Sequence, residues 1–169
     1  SAPGRVSSIT VADGIVAIAS GIDVVALSMD DGQELWRQKL EGSADEVVSL
    51  PGTGIIHATS SVFDIEHGDF MESAYWRFEH SGDLMMVHRF DERPWHISVE
   101  SDSVLLGLGR PRCGMLVLTQ DGLEWEGLVD DDPVACGIQG IGKTVLGHSK
   151  GTVSIVENGV KSVIAELDS

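Results

Sequence analysis

The chain has 169 residues, of which 42% are hydrophobic and 22% charged, so it is long and apolar enough to form a folded domain with its own core. Its 27 acidic and 11 basic residues give a formal net charge of −16. This acidic excess argues against nucleic acid and anionic membranes as partners, because Lys and Arg supply much of the affinity for both. It favours a partner that is a protein or a basic peptide.

The sequence shows no sign of membrane insertion or secretion. No apolar run approaches the roughly 20 residues of a membrane helix, and the N-terminal SAPGRVSS lacks a basic segment followed by an apolar one. We therefore expect no transmembrane segment and no signal peptide in this chain, and the compartment stays open. The two cysteines, Cys113 and Cys136, are too few for a disulfide framework, and their redox state also stays open.

Short runs of Val, Ile, Leu and Ala, separated by Gly, Asp, Asn and Ser, follow one another along the chain. Such runs are typical of β-strands joined by tight turns. We predict an all-β fold of four copies of a four-stranded unit, the second interrupted by an irregular insertion at 61–73. The strands are predicted over 7–11, 16–19, 24–28 and 33–40; 45–50, 54–60, 74–78 and 83–90; 95–99, 103–109, 115–119 and 123–129; 134–138, 144–149, 152–156 and 160–167.

A turn glycine recurs before the last strand of each copy, at Gly32, Gly82, Gly122 and Gly159. Four strands and about 40 residues per copy are the signature of a β-propeller blade. The chain is therefore predicted to be a single repeat domain, 1–169, of four antiparallel blades. The blades are predicted at about 5–42, 43–93, 94–132 and 133–169.

One stretch matches a nucleotide-binding pattern. Gly137, Gly142, Lys143 and Thr144 fit G-x-x-x-x-G-K-[ST], the phosphate loop of P-loop NTPases. That loop requires a helix after it, whose N-terminus binds phosphate. The sequence that follows here, VLGHSKGTVSIV, has two glycines and several β-branched residues, which are poor helix formers. We interpret the match as a hairpin turn between the first two strands of the fourth copy.

The stretch ALSMDDGQELW, from Ala26 to Trp36, resembles the tryptophan docking motif of quinoprotein-like (PQQ-type repeat) β-propellers, A-x-D-x-x-T-G-x-x-x-W. Ala26, Gly32 and Trp36 match at the family's spacing, whereas Ser28 and Asp31 replace its Asp and Thr. The repeat rhythm is also related to that of WD-repeat propellers. The resemblance implies a turn in which Gly adopts positive φ and a Trp that packs between blades.

Some members of this family are quinone- and calcium-dependent alcohol dehydrogenases, and many others are non-catalytic scaffolds. The sequence has no adjacent-cysteine pair, no assignable set of cofactor ligands and no G-x-S-x-G nucleophile elbow, so we assign no catalytic residue and no cofactor. The resemblance therefore favours a non-catalytic propeller module that binds protein or peptide partners. The alternatives are a fragment of a quinoprotein-like enzyme whose cofactor site lies elsewhere, and a structural, self-associating half-propeller.

Four blades are fewer than family propellers usually have. Three explanations remain open: a fragment of a longer propeller, a half-propeller that forms a homodimer to complete the ring, and a compact four-bladed or sandwich-like domain. An open terminal blade would expose strand edges and apolar surface, which association would cover.

Two polar segments are candidate sites. The insertion contains Asp64, Glu66, His67 and Asp69, oxygen-rich groups with one His that are weak candidates for a divalent cation because their spacing matches no known loop. The link between the second and third copies contains Arg89, Arg93, Trp95 and His96. Trp and Arg together are typical of interaction hot spots, so this link is a candidate partner-binding segment.

Overall fold

The computed structural model describes residues 4–110, 113–128, 132–140 and 142–167, with side chains described throughout except at 125–128. These residues form sixteen β-strands. The strands are β1 (Val6–Ala12), β2 (Ile15–Ser20), β3 (Asp23–Ser28), β4 (Glu34–Lys39), β5 (Ser43–Val48), β6 (Ile55–Asp64), β7 (Asp69–Glu79), β8 (Leu84–Phe90), β9 (Pro94–Glu100), β10 (Ser103–Leu108), β11 (Gly114–Thr119), β12 (Gly122–Leu128), β13 (Val134–Gly140), β14 (Lys143–His148), β15 (Thr152–Glu157) and β16 (Val160–Glu166).

The strands form four four-stranded sheets, in each of which the strands follow chain order and every neighbouring pair is antiparallel. The first sheet is β1–β4, the second β5–β8, the third β9–β12 and the fourth β13–β16. The predicted all-β fold of four four-stranded antiparallel sheets is confirmed. Among the residues described there is no helix that is long and apolar enough to cross a membrane.

The chain divides into two compact units, Ser1–Asp91 with the first two sheets and Glu92–Ser169 with the last two. In the first unit the core lies between the sheets, where small residues of one face larger ones of the other. Its buried members are Ala17, Ala19, Val24, Leu40, Ala44, Val47, Ile56, Ala58, Ala74, Trp76 and Phe78. Alanines on the first sheet allow the second sheet to approach closely.

Trp36 joins the first two sheets. Its indole Nε1 donates a hydrogen bond of 2.7 Å to the carbonyl oxygen of His80, and its ring lies 5.9 Å from the ring of Phe78. Gly82 lies directly against this ring, since a Cβ added there would come within 2.8 Å of the Trp36 Cγ. Gly82 also has a φ of 94°, which strongly favours glycine. The turn glycine of the second sheet thus receives the tryptophan of the first.

The second unit has a similar core between the third and fourth sheets, formed by Leu105, Met115, Val117, Val134, Leu146 and Val156. The His96 Nε2 lies 2.9 Å from the carbonyl oxygen of Gly137, and the Gln139 Nε2 donates to the Ser103 hydroxyl at 2.9 Å. Gly137 leaves room for the neighbouring sheet, because a Cβ there would lie 2.8 Å from the Leu105 Cδ2.

The insertion at 61–73 is not irregular, which corrects the sequence-based expectation. It extends the β6–β7 hairpin, with Val62 opposite Glu72, Phe63 opposite Phe70 and Asp64 opposite Asp69. The neighbouring strands stop earlier, at the pairs Ser43–Ser61 and Ser73–Phe90. Residues 62–72, called the ribbon below, therefore form a two-stranded extension of the second sheet. The exposed acidic residues of this segment suggested a loop, although its aromatic residues favour pairing.

The segment with the phosphate-loop pattern lies in the β13–β14 hairpin, where Gln139 pairs with Thr144 and Gly140 with Lys143. The Lys143 Nζ lies 3.4 Å from a carboxylate oxygen of Glu157 on the neighbouring strand. A strand follows the pattern where a nucleotide-binding loop would require a helix, as the sequence predicts.

We expect Gly82→Ala to destabilise the chain by about 3 kcal/mol, because it combines strain at positive φ with a collision against Trp36. Gly32→Ala is the matched control, since Gly32 has a φ of 71° but no atom within 4 Å of an added Cβ. The control should lower the free energy of unfolding by only about 1 kcal/mol, because it introduces backbone strain without a collision. Urea unfolding followed by tryptophan fluorescence measures both, and equal losses would contradict the proposed contact.

Candidate functional site: an acidic cleft at the base of the ribbon

The tip of the ribbon exposes apolar side chains. Ile65 is 88% exposed and Phe63 51% exposed, and Met71 is also exposed. The rings of Phe63 and Phe70 meet edge to face at 5.2 Å, so the aromatic part of the tip has a defined shape. Contiguous apolar side chains on a surface extension are typical of a contact surface for another protein.

The Asp64 carboxylate orders the turn at this tip. Its Oδ1 accepts hydrogen bonds from the backbone amides of Glu66 at 2.7 Å and His67 at 3.1 Å, and its Oδ2 lies 3.2 Å from the His67 Nδ1. The pKa of Asp64 is lowered, chiefly by the backbone hydrogen bond from His67. The Asp64 oxygens thus act within the turn, as is typical of Asp at turn positions.

The four weak candidates for a cation site lie in and beside this turn, but their metal-ligating atoms do not converge on one point. They are Asp64, Glu66, His67 and Asp69. The Asp69 Oδ1 accepts from the Phe70 amide at 2.7 Å instead. Within the described part of the chain, no group of three or more His, Cys, Asp or Glu side chains is arranged to hold a metal ion.

A cleft of about 350 Å³ lies at the base of the ribbon. It is lined by Glu41, Val62, Glu72, Ser73, Ala74, Arg89, Phe90 and Asp91. Several elements contribute: the link from β4 to β5, the ribbon, and the end of β8. Apolar groups and three carboxylates line the same space, and only one cation accompanies them.

That cation, Arg89, is bound to Glu41 by two hydrogen bonds, from Nε at 2.8 Å and from Nη2 at 2.6 Å. The hydrogen bond from Arg89 is the main cause that lowers the pKa of Glu41. The same hydrogen bond is the main cause that raises the pKa of Arg89. Because this pair is internally neutral, Glu72 and Asp91 leave the cleft with a net negative charge. The cleft therefore offers carboxylates to a cationic group.

Ser73 is another residue of the cleft lining. Its Oγ is buried and has no hydrogen-bond partner among the described residues. A buried hydroxyl without a hydrogen-bond partner costs free energy.

The candidate partner-binding residues do not form one group within either unit. Arg89 belongs to the cleft of the first unit, whereas Arg93, Trp95 and His96 begin the second unit. Trp95 is 48% exposed, and its ring packs on Gly109, where an added Cβ would lie 2.4 Å from the Trp95 Nε1. Gly109 also donates its amide to the Arg93 carbonyl at 2.9 Å. His96 makes the contact with Gly137 described above, which is part of sheet packing.

Sequence reasoning missed Glu41 and Ser73, whereas Phe90 and Asp91 lie in the candidate link beside Arg89. Glu41 lies 48 positions before Arg89, so no local pattern relates them. Glu72 lies in the insertion, and the insertion and Arg89 were separate candidates in the sequence. Their meeting in one cleft depends on the pairing of β7 with β8, in which Ser73 lies opposite Phe90.

A buried polar pair lies elsewhere in the second sheet. The His57 Nδ1 is 2.7 Å from the Tyr75 hydroxyl, and both residues are buried beside the similarly buried Arg77. Burial, with a smaller contribution from Arg77, lowers the pKa of His57 to about 4. Burial also raises the pKa of Tyr75. Both groups are therefore neutral near pH 7, and they stabilise the interior of the sheet rather than a surface site.

Comparisons with known proteins identify the fold. No protein-family model and no curated protein matches the chain. Among solved structures, the computationally designed Ika4 protein superposes with a TM-score of 0.72 at 11% identity, covering 91% of each chain. BamB from Moraxella catarrhalis superposes with a TM-score of 0.71 at 12% identity, and the match covers 98% of this chain and 51% of the BamB chain. The Pan2 WD40 domain of Neurospora crassa superposes with a TM-score of 0.67 at 14% identity, and the match covers 98% of this chain and 50% of the Pan2 chain.

These likenesses show a β-propeller type of fold, which confirms the fold prediction. This chain spans about half the length of the BamB and Pan2 structures that it matches. At such low identity the likeness carries the fold alone. The quinoprotein-like subclass stays a prediction.

The buried His57 predicts a pH dependence of stability. Because its pKa is lower in the folded chain, about 4, than the ordinary 6.5, the unfolded chain binds the proton first as pH falls. The contribution of this group is fully present above pH 6.5 and is lost as pH falls towards 4, by about 3 kcal/mol in total. We expect His57→Gln to flatten the curve of unfolding free energy in this window. Parallel curves for the variant and the parent chain, measured by urea unfolding, would contradict the assignment.

Proposed function

We propose that this chain is a non-catalytic binding module of propeller type, whose ribbon and acidic cleft take a basic peptide or a basic protein surface. The observation that carries the proposal is the ribbon itself, the one departure from the four-stranded repeat among the described residues. It combines an exposed apolar tip with an acidic base. Segments that leave a rigid repeat scaffold are where binding residues are commonly found.

The apolar part of the surface would supply affinity. Ile65 is almost fully exposed and Phe63 about half exposed, and complete burial of such a side chain contributes at most about 1.5–3 kcal/mol. The hairpin hydrogen bonds and the Asp64 turn hold them in place, so less conformational entropy is lost on binding than from a flexible loop.

The acidic part would supply selectivity for charge. Glu72 and Asp91 face a partner in addition to the neutral Glu41–Arg89 pair, and the chain as a whole carries −16 charges. A Lys or Arg side chain entering the cleft would find carboxylates beside the Phe90 ring and the aliphatic Val62 and Ala74. Long cationic side chains suit such a lining because their stems are apolar and their ends charged.

We expect the chain to bind a short fluorescein-labelled peptide of Lys, Leu and Gly, and not the same peptide with Glu in place of Lys. The double variant Glu72→Gln, Asp91→Asn should weaken binding roughly tenfold, about 1.4 kcal/mol. The control Asp30→Asn, Asp102→Asn removes the same charge from exposed turns of other sheets. Fluorescence anisotropy measures both. Equal weakening by the two pairs, or none, would contradict a defined cleft.

The tip is tested separately, with the same peptide. Ile65→Ser should weaken binding several-fold because it removes an exposed apolar anchor. Leu84→Ser is the control, since Leu84 is an exposed aliphatic residue of β8 outside the ribbon, 52% exposed against 88% for Ile65. An unchanged affinity in Ile65→Ser would remove the tip from the proposed surface.

A further inference from the structure

Two sheet faces in the chain are apolar and exposed. In β1, Ser8 and Thr10 lie on the side of the second sheet, as the hydrogen bonds of Ser8 to Val47 and of Thr10 to Ser49 show. Ile9 and Val11 alternate with them and therefore lie on the opposite face. Ile9 is 60% exposed, and it neighbours Ile18 across the ladder, as Val11 neighbours Val16. We call this the free face of the first sheet.

The fourth sheet has a corresponding free face. In β13, Gly137 and Gln139 contact the third sheet through His96 and Ser103. Cys136 and Ile138 alternate with them and lie on the opposite side. Ile138 is 64% exposed, and its neighbours across the ladder are Val145 and then Ile155. The first strands of both faces are thus aliphatic, while ion pairs lie on the same faces further out, Lys143–Glu157 on the fourth sheet and Arg37–Asp23 on the first.

The contacts within the two units follow one rule of register. The first strand of each sheet has a bulge, and the residues that directly follow it are Ser8, Glu46, His96 and Cys136. Ser8 contacts the backbone of Val47, the second residue after the bulge of the next sheet. His96 contacts the backbone of Gly137, which is again the second residue after the bulge. The same contact therefore joins the sheets in both units.

Continuing this rule assigns an occupant to the free faces. Cys136 holds the position of Ser8 and His96, and Ile9 holds the position of Val47 and Gly137. We propose that a second copy of this chain covers these faces, the fourth sheet of one copy packing on the first sheet of the other with Cys136 against Ile9. Head-to-tail contacts of this kind give a closed assembly when the rotation that relates the copies brings the last copy back to the first. Two copies together have eight four-stranded sheets, which is within the four to eight blades typical of propellers.

The aliphatic residues of β1 and β13 that would make this contact predict an unusual salt dependence of self-association. Two copies with −16 charges each repel one another, and salt screens this repulsion while leaving aliphatic contacts intact. Association should therefore strengthen as salt rises, whereas peptide binding to the acidic cleft should weaken. The self-association does not depend on the proposed function, and the opposite salt responses separate the two.

The decisive test is a disulfide between copies. The double variant Ile9→Cys, Cys136→Ser carries a thiol on the first sheet only, and the parent chain carries one on the fourth; the remaining Cys113 is buried. Oxidising an equimolar mixture should give a covalent species of about twice 18.0 kDa on a non-reducing gel. Neither protein alone should give it. The Ser8 Oγ lies 3.3 Å from the Val47 amide nitrogen, so the residues at these two positions of neighbouring sheets lie close together.

Solution mass provides a second readout. Light scattering over a concentration series in high salt should approach twice 18.0 kDa for the parent chain. Ile138→Asp should shift the mass towards that of the monomer. Ile65→Asp makes the same replacement at the ribbon tip and should leave the mass unchanged. A mass of 18.0 kDa at every concentration and salt level, with no crosslink in the mixture, would overturn the proposal and leave these faces to a different protein.

Discussion

Each sheet of this chain carries apolar side chains on both faces, and a four-stranded sheet of this kind cannot keep both faces from water by itself. The fold depends on the resulting contact of sheet on sheet. Its most specific form is Trp36 of the first sheet against Gly82 of the second, where indole area, a hydrogen bond to His80 and a glycine with positive φ act together. Small residues such as Ala17 and Ala19 bring the sheets close enough for that contact.

The same constraint separates the repeat from the candidate site. Positions that serve sheet packing are already occupied by core side chains, such as Trp36 and Phe78, or by hydrogen bonds between sheets, such as that of His96, and they leave little freedom for binding chemistry. The ribbon escapes the constraint because its strands extend past the pairs Ser43–Ser61 and Ser73–Phe90. Its exposed side chains are therefore not explained by the core, and three further carboxylates, of Glu41, Glu72 and Asp91, line the cleft at its base.

The fold could be predicted from the sequence because each repeat is recognisable from short-range patterns along the chain. Alternating apolar runs and the turn glycines, such as Gly32 and Gly82, predict strands and hairpins without knowledge of distant contacts. The phosphate-loop pattern was correctly interpreted for the same reason, since the β-branched residues after Thr144 favour a strand.

The candidate site was predicted only in part. The insertion and Arg89 were recognised as unusual, but their common cleft requires the register of β7 against β8 and a partner, Glu41, from a different sheet link. The paired ladder of the ribbon was also missed, because its charged residues are typical of loops while Phe63 and Phe70 stabilise the pairing across the strands. Long-range charge pairs and register are set by tertiary structure, which a single sequence does not display.

The most direct test of the binding account is an amide chemical-shift map by nuclear magnetic resonance, recorded while the Lys-containing peptide is added to the labelled chain. Binding at the cleft and ribbon should give shifts confined to Glu41, the ribbon at 62–72 and the segments 73–74 and 89–91, and few at Asp30 or Asp102. Shifts spread evenly over the acidic surface, or centred on the free faces at Ile9 and Ile138, would contradict it.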